Sequence, residues 1–119
     1  MWLMVCYKFS FPEIARTLAL QGTKLIIAPT AWVDGDLKRA FSLLTRTRAL
    51  ENTLFLCAYS QIKNIYTGHF SLINPLGIEL IKMSKEEDLE FSEINLDEIK
   101  EVRKILPCLE QKHKELYGL

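Results

Sequence analysis

The chain switches several times between two hydrophobic periods. Residues 2–7, WLMVCY, form an unbroken apolar run, the pattern of a short strand covered on both faces. A helix is expected next, from about Phe11 to Gln21. Ser10 and Glu13 have capping-box spacing, Pro12 suits a first turn, and Gly22 suits the position just past the end. Ile14, Ala15, Leu18 and Gln21 share one face of that helix. KLIIAP, 24–29, predicts a second buried strand, and TAWVDGD, 30–36, a loop. Asp36 is placed to cap a long helix over 37–52. Its inward stripe would be Leu37, Ala40, Phe41, Leu44 and the stem of Arg48, with Leu43 and Leu50 alongside. TLFLCAYS, 53–60, reads as a third strand. Residues 69–74 and 78–83 read as a hairpin around Pro75–Leu76–Gly77. After a charged loop, EFSEIN, 90–95, alternates like an edge strand. Asp97 then caps a helix that runs to about Leu106 before Pro107. Residues 108–119 are polar and predict an extended or partly helical arm.

The element order is β-α-β-α-β-β-β-β-α, so the fold class is α/β: strand–helix alternation followed by a meander. No repeat, low-complexity run or linker divides the 119 residues, and 49% hydrophobic with 25% charged is ordinary for one folded unit. Fifteen basic residues balance fifteen acidic ones, which argues against nucleic acid or an anionic membrane as partner and favours self-association. The apolar start is too short for a signal peptide or a membrane span. Three widely spaced cysteines, Cys6, Cys57 and Cys108, with no CxxC and no Cys/His ligand cluster, predict a reduced, cytoplasmic chain without a metal.

Cys6 is the residue with chemistry to offer. A thiol at the end of a strand, just before a turn into a helix, sits at an accessible point beside backbone N–H groups. Such groups favour a thiolate and stabilise an oxyanion. A strand cysteine is also ordinary core filling, and from spacing alone both readings stand. The other polar candidates have plainer roles. Glu13 reads as a helix capper, His69 as a hydrogen-bonded, partly buried imidazole, His113 as a solvated tail residue and Cys57 as core. Phe9, Phe11, Phe41, Phe55 and Phe70 read as core rings. Lys8 would lower the thiol pKa only if the strand continued past Cys6.

Three stretches in order, CYKFSFPEIARTLALQGTKLIIAPTAW, RTRALENTLFLCAYS and GHFSLINPLG, resemble the carbon–nitrogen hydrolase family, the nitrilase superfamily. The resemblance runs from Met4 to about Tyr117. It implies half of an α-β-β-α four-layer sandwich. It also implies hydrolysis of a non-peptide carbon–nitrogen bond, amide rather than nitrile because Cys-Tyr stands where nitrilases carry Cys-Trp-Glu. Cys6 would be the nucleophile of a covalent acyl-enzyme and the Tyr7 N–H part of the oxyanion hole. Ala31 and Trp32 would lie by the substrate, and Arg48, Glu51 and Asn52 would brace the helix-to-strand junction. No cofactor is implied. The partners implied are a small-molecule amide and either further copies of the chain or a separate N-terminal half.

The pattern departs from the family in two ways. The family's general-base glutamate and its lysine lie upstream of the cysteine, and five residues precede Cys6 here. The chain therefore reads as the C-terminal portion of the domain. Lys8, Ser10, Ser60, Phe70 and Asn74 also stand where the family carries Asp, Arg, Asn, Ser and Asp. These departures support an alternative: a non-catalytic remnant or assembly module that keeps the family's packing surfaces.

Overall fold

A computed structural model describes residues 1–83 and 89–116. Five strands form one mixed sheet in the order β1-β2-β3-β4-β5. They are β1 (Trp2–Leu3), β2 (Leu25–Thr30), β3 (Phe55–Ser60), β4 (Phe70–Ile73) and β5 (Glu79–Met83). The first three run parallel and the last two antiparallel, so α1 (Pro12–Leu20) and α2 (Lys38–Asn52) are the crossovers that parallel strands need. The α/β class, the first two helices and the hairpin match expectation.

Both helices serve one face of the sheet. Ile26 and Ala28 of β2 pair with Leu56 and Ala58 of β3, and Ile73 and Ser71 of β4 continue those rows. All six are buried, and the four aliphatic ones with Ile73 join a core cluster holding Met4, Phe9, Ala15, Trp32, Phe41 and Ala49. The alternate positions lie on the other face. There Ile27 pairs with Cys57 and Pro29 with Tyr59, and these side chains are half-buried or exposed. Phe55 and Leu72 are buried on that face. Ile99 and Val102 of α3 (Glu98–Ile105) are also buried, outside the main cluster. Two bonds fasten α3: Asn74 Nδ2 to Glu98 Oε1 at 3.2 Å, and Arg103 Nε to Thr53 Oγ1 at 2.9 Å.

The helix ends show which local signals held. Gly22 lies at φ +89, with its N–H on the Ala19 carbonyl and the Thr23 N–H on that of Leu18, the paired C-terminal closure expected of a glycine stop. The N-termini differ from expectation. Phe11 is the N-cap of α1 and makes no side-chain cap, because Ser10 belongs to a preceding 3-10 turn, Cys6–Ser10. Leu37, not Asp36, precedes α2, and Asp97 precedes α3 without a side-chain cap bond. Leu37, Leu43 and Leu50 are exposed, and Thr45 and Asn52 take the inward positions instead.

Two strand expectations fail. The first strand is only Trp2–Leu3, and Trp2, Leu3 and Val5 are exposed while Met4 alone is buried. It pairs with β2 on one side only and both its residues are exposed, so it is an edge strand and not a doubly covered one. Residues 90–95 form no strand: Phe91 is 85% exposed and the segment finds no ladder partner among the described residues. Part of the charged loop, 84–88, and the end of the expected arm, 117–119, lie outside the described residues. Residues 108–116 carry a short 3-10 turn, Lys114–Leu116, and Leu109 packs on the core.

Candidate active site

Because β1, β2 and β3 are parallel, the segments after them leave the sheet at the same edge, where open α/β sheets place their ligand sites. That edge carries Cys6, then Ala31 and Trp32, then Ser60. β4 starts there too, and the Ser60 N–H donates to the His69 carbonyl at 2.7 Å.

Cys6 opens the 3-10 turn at φ +54, a left-handed backbone that non-glycine residues seldom adopt. The strand does not continue through it. Met4 N–H makes the last bond to β2, to the Ile27 carbonyl at 2.9 Å, and the chain then bends. Cys6 is partly exposed. Among the described residues the Tyr7 N–H has no hydrogen-bond partner, whereas the Lys8 N–H reaches back to the Val5 carbonyl. The Tyr7 ring is exposed and meets Phe11 edge-on at 5.5 Å. Phe11, expected in the core, is 46% exposed.

The turn is held from behind. Phe9 is fully buried and meets Phe41 of α2 edge-on at 6.0 Å. Its carbonyl accepts a hydrogen bond from Arg48 Nε at 2.9 Å. Arg48 is buried as a whole residue, not only along its stem, and its Nη1 donates to Glu51 Oε1 at 2.8 Å. Asn52 Nδ2 donates to the Arg48 carbonyl, and Arg16 Nη2 to the Glu51 carbonyl at 2.8 Å. Arg48, Glu51 and Asn52 thus form one network, and it reaches the Cys6 turn.

Trp32 is buried against Phe41 at 5.8 Å, with its indole N–H on the Leu37 carbonyl at 2.7 Å. It can wall a pocket with its ring, but its polar hydrogen is already engaged. Ser60 Oγ accepts from the Trp32 N–H at 2.9 Å and donates to the Trp32 carbonyl at 3.2 Å. The serine therefore fixes the backbone beside Ala31, which is half-buried.

Sequence reasoning missed a second polar cluster. His69 Nε2 lies 2.7 Å from Ser71 Oγ, and Ser71 Oγ donates to Glu79 Oε1 at 2.8 Å. The His69 ring also meets Phe41 edge-on at 5.3 Å. Burial pushes the imidazole below its usual range, against the opposing pull of Glu79. Serine and carboxylate both approach the same ring nitrogen, so this is a structural knot and not a nucleophile–base–orienter relay. His69 and Ser71, two apart at the start of β4 and so on one face, were the available signal. Burial also raises the Cys57 thiol, in keeping with an inert position.

Among the described residues no carboxylate or amine is hydrogen-bonded or ion-paired to Cys6, and no group of three His, Cys, Asp or Glu is placed to hold a metal. A cavity of about 500 Å³ opens elsewhere, between α1 and residues 112–114, lined by charges of both signs from Glu13, Arg16, Glu51 and Lys112. No helix among the described residues is long and apolar enough to cross a membrane.

The carbon–nitrogen hydrolase family model matches residues 1–104. The chain belongs to the carbon–nitrogen hydrolase family. It is 36% identical over 108 residues to the deaminated glutathione amidase of Escherichia coli O157:H7, a match that covers 90% of this chain and 41% of that protein. The carbon–nitrogen hydrolase of Helicobacter pylori G27 superposes with a TM-score of 0.92 at 28% identity, over 98% of this chain and 47% of its own. A glutamate-to-glutamine mutant of the amidase from Nesterenkonia sp. AN1, with the acetamide moiety of fluoroacetamide covalently added at its active-site cysteine, superposes with a TM-score of 0.83. It is 26% identical, over 98% of this chain and 42% of its own. The chain spans about half the length of the curated relatives it matches.

Proposed function

We propose that the chain is the cysteine-bearing, C-terminal portion of an amide-hydrolysing carbon–nitrogen hydrolase, half of its four-layer sandwich, with residues 108–119 as an arm. The observation that carries this reading is Cys6: left-handed, partly exposed, at the ligand edge of the sheet, beside a Tyr7 N–H with no hydrogen-bond partner among the described residues. In the reaction the Cys6 thiolate attacks the amide carbon while the Tyr7 N–H supports the oxyanion. The C–N bond then breaks, ammonia or an amine leaves with a proton from a general acid, and water releases the acyl group from the thioester. Ala31 and the Trp32 ring flank the acyl group, and Arg48, Glu51 and Asn52 hold the junction behind it. The relative's name, deaminated glutathione amidase, supports an amide substrate.

The proton-handling glutamate and the lysine come from outside these 119 residues. They come from a separate N-terminal half, and that half or a further copy of the chain covers the apolar sheet face of Ile27, Cys57 and Tyr59. The setting on this reading is the cytoplasm, where a nucleophilic thiol stays reduced.

The test is ammonia release from small aliphatic amides. The chain alone is expected to release none. The chain assembled with a polypeptide carrying the family's upstream half is expected to release it, and Cys6→Ala abolishes that. An inactive assembly in which Cys6 is also unreactive favours the non-catalytic module, the reading supported by Lys8, Ser10, Ser60 and Phe70. Activity that survives Cys6→Ala overturns the mechanism.

A further inference from the structure

We propose that Arg48 is a positioning residue for the Cys6 thiol, acting through the Phe9 carbonyl. The proposal rests on the reading of Cys6 as the nucleophile and adds what keeps it poised.

Cys6 occupies an unfavourable backbone region, and such a conformation persists only where its surroundings over-determine it. A five-residue 3-10 turn has little stability of its own, since its hydrogen bonds are few and poorly aligned. Its first closing bond, Lys8 N–H to the Val5 carbonyl, is long at 3.5 Å. Two contacts from α2 compensate. One is the Phe9–Phe41 ring pair, which locates the turn but leaves its backbone free to rotate. The other is the Arg48 Nε–Phe9 carbonyl bond, which fixes a peptide plane three residues from the thiol.

That bond is directional and charge-assisted, and it is buried, so it tolerates little drift. Glu51 turns the guanidinium so that Nε, and not a terminal nitrogen, faces Phe9. Asn52 holds the Arg48 carbonyl one helical turn back. The three residues of the RALEN stretch therefore act as a clamp on the turn. Lysine at position 48 keeps the charge and reaches one acceptor, but it cannot serve Phe9 and Glu51 in the same geometry.

Cysteine alkylation by iodoacetamide, followed residue by residue by mass spectrometry, tests this without requiring amide turnover. Cys108 is the internal reference in the same molecule. Arg48→Met is expected to slow Cys6 about tenfold relative to that reference, the scale of one charged hydrogen bond. Arg48→Lys is expected to recover part of that loss, and Glu51→Gln to fall between Arg48→Lys and the unsubstituted chain. A purely structural role lowers the thermal midpoint and leaves the Cys6-to-reference ratio unchanged. Should Arg48→Met fail to fold, Arg48→Lys and Glu51→Gln decide. Folded variants with Cys6 ratios within about twofold of the unsubstituted chain overturn the proposal. An assembled but inactive amidase whose ratios follow the expected order would refute the hydrolase reading and leave the clamp standing.

Discussion

Phe41 is the side chain on which most of the site converges, and its removal gives a worked prediction. It is 1% exposed and its ring meets Phe9, Trp32 and His69 at 6.0, 5.8 and 5.3 Å. Phe41→Ala loses the transfer energy of a buried ring and leaves a cavity between two helices and the sheet, a cost of about 3–5 kcal/mol. Unfolding entropy of about 2.1 cal/mol/K per residue gives about 0.25 kcal/mol/K for a chain of this length, so about 4 kcal/mol lowers the thermal midpoint by about 16 °C. Phe11→Ala is the control. That ring is 46% exposed and, among the described residues, meets one aromatic ring, Tyr7, so its loss costs about 1 kcal/mol and about 4 °C. Melting followed by near-UV circular dichroism reads both, with Trp32 reporting directly on the Phe41 site. A Phe41→Ala shift under about 5 °C, or equal shifts for the two variants, would refute the assignment of Phe41 as the hub.

Two further perturbations have defined signs. The folded chain holds His69 below its usual range, so as pH falls the unfolded chain takes up its proton first. Stability is therefore full above the ordinary histidine range and declines as pH drops from about 8 to about 5. Glu79, Lys82 and Lys38 are the charged groups acting on the ring. His69→Asn should flatten the decline in midpoint, and parallel slopes for the two proteins would sink the argument. Gly77 lies at φ +72, and a Cβ there would stand 3.2 Å from both the Arg46 carbonyl oxygen and Leu50 Cβ. Gly77→Ala should cost about 1–3 kcal/mol in a urea titration, and a change within about 0.5 kcal/mol would contradict the close approach.

What the sequence disclosed depended on range. The β2 and β3 runs, the Gly22 stop and the hairpin turn are encoded within a few residues, so they are legible. Cys6 does not end a strand: β1 stops at Leu3, and the thiol opens a 3-10 turn. Ser10 and Asp36 have the type and spacing of N-caps, but the segments before both helices fold into turns, and Phe11 and Leu37 precede the helices instead. Residues 90–95 space their two apolar side chains, Phe91 and Ile94, three apart and not two, and find no partner strand among the described residues. The Arg48 bond joins positions 39 apart and ends on a backbone carbonyl, which no residue type announces. His69, Ser71 and Glu79 were each visible, but their meeting depends on hairpin register and on the bulge between Leu72 and Ile73.

The second face of the sheet carries the remaining argument. β2 and β3 are apolar at every position but Thr30 and Ser60, yet only alternate positions pack beneath the helices. A sheet covered on one side would be expected to alternate apolar with polar, as strands facing water do. Here Leu25, Ile27, Cys57 and Tyr59 present partly exposed hydrocarbon on the side opposite α1 and α2, beside the buried Phe55 and Leu72. With a formal net charge of zero, long-range repulsion does little to keep such faces apart. On the proposed reading, burial of that face supplies the driving force for assembly, and the edge of β1, with Trp2 and Leu3 exposed, borders it. The thiol lies just past the end of that same strand. On the proposed reading, covering the apolar face and completing the chemistry at Cys6 are one event, because the surface that needs a partner adjoins the residue that needs a base.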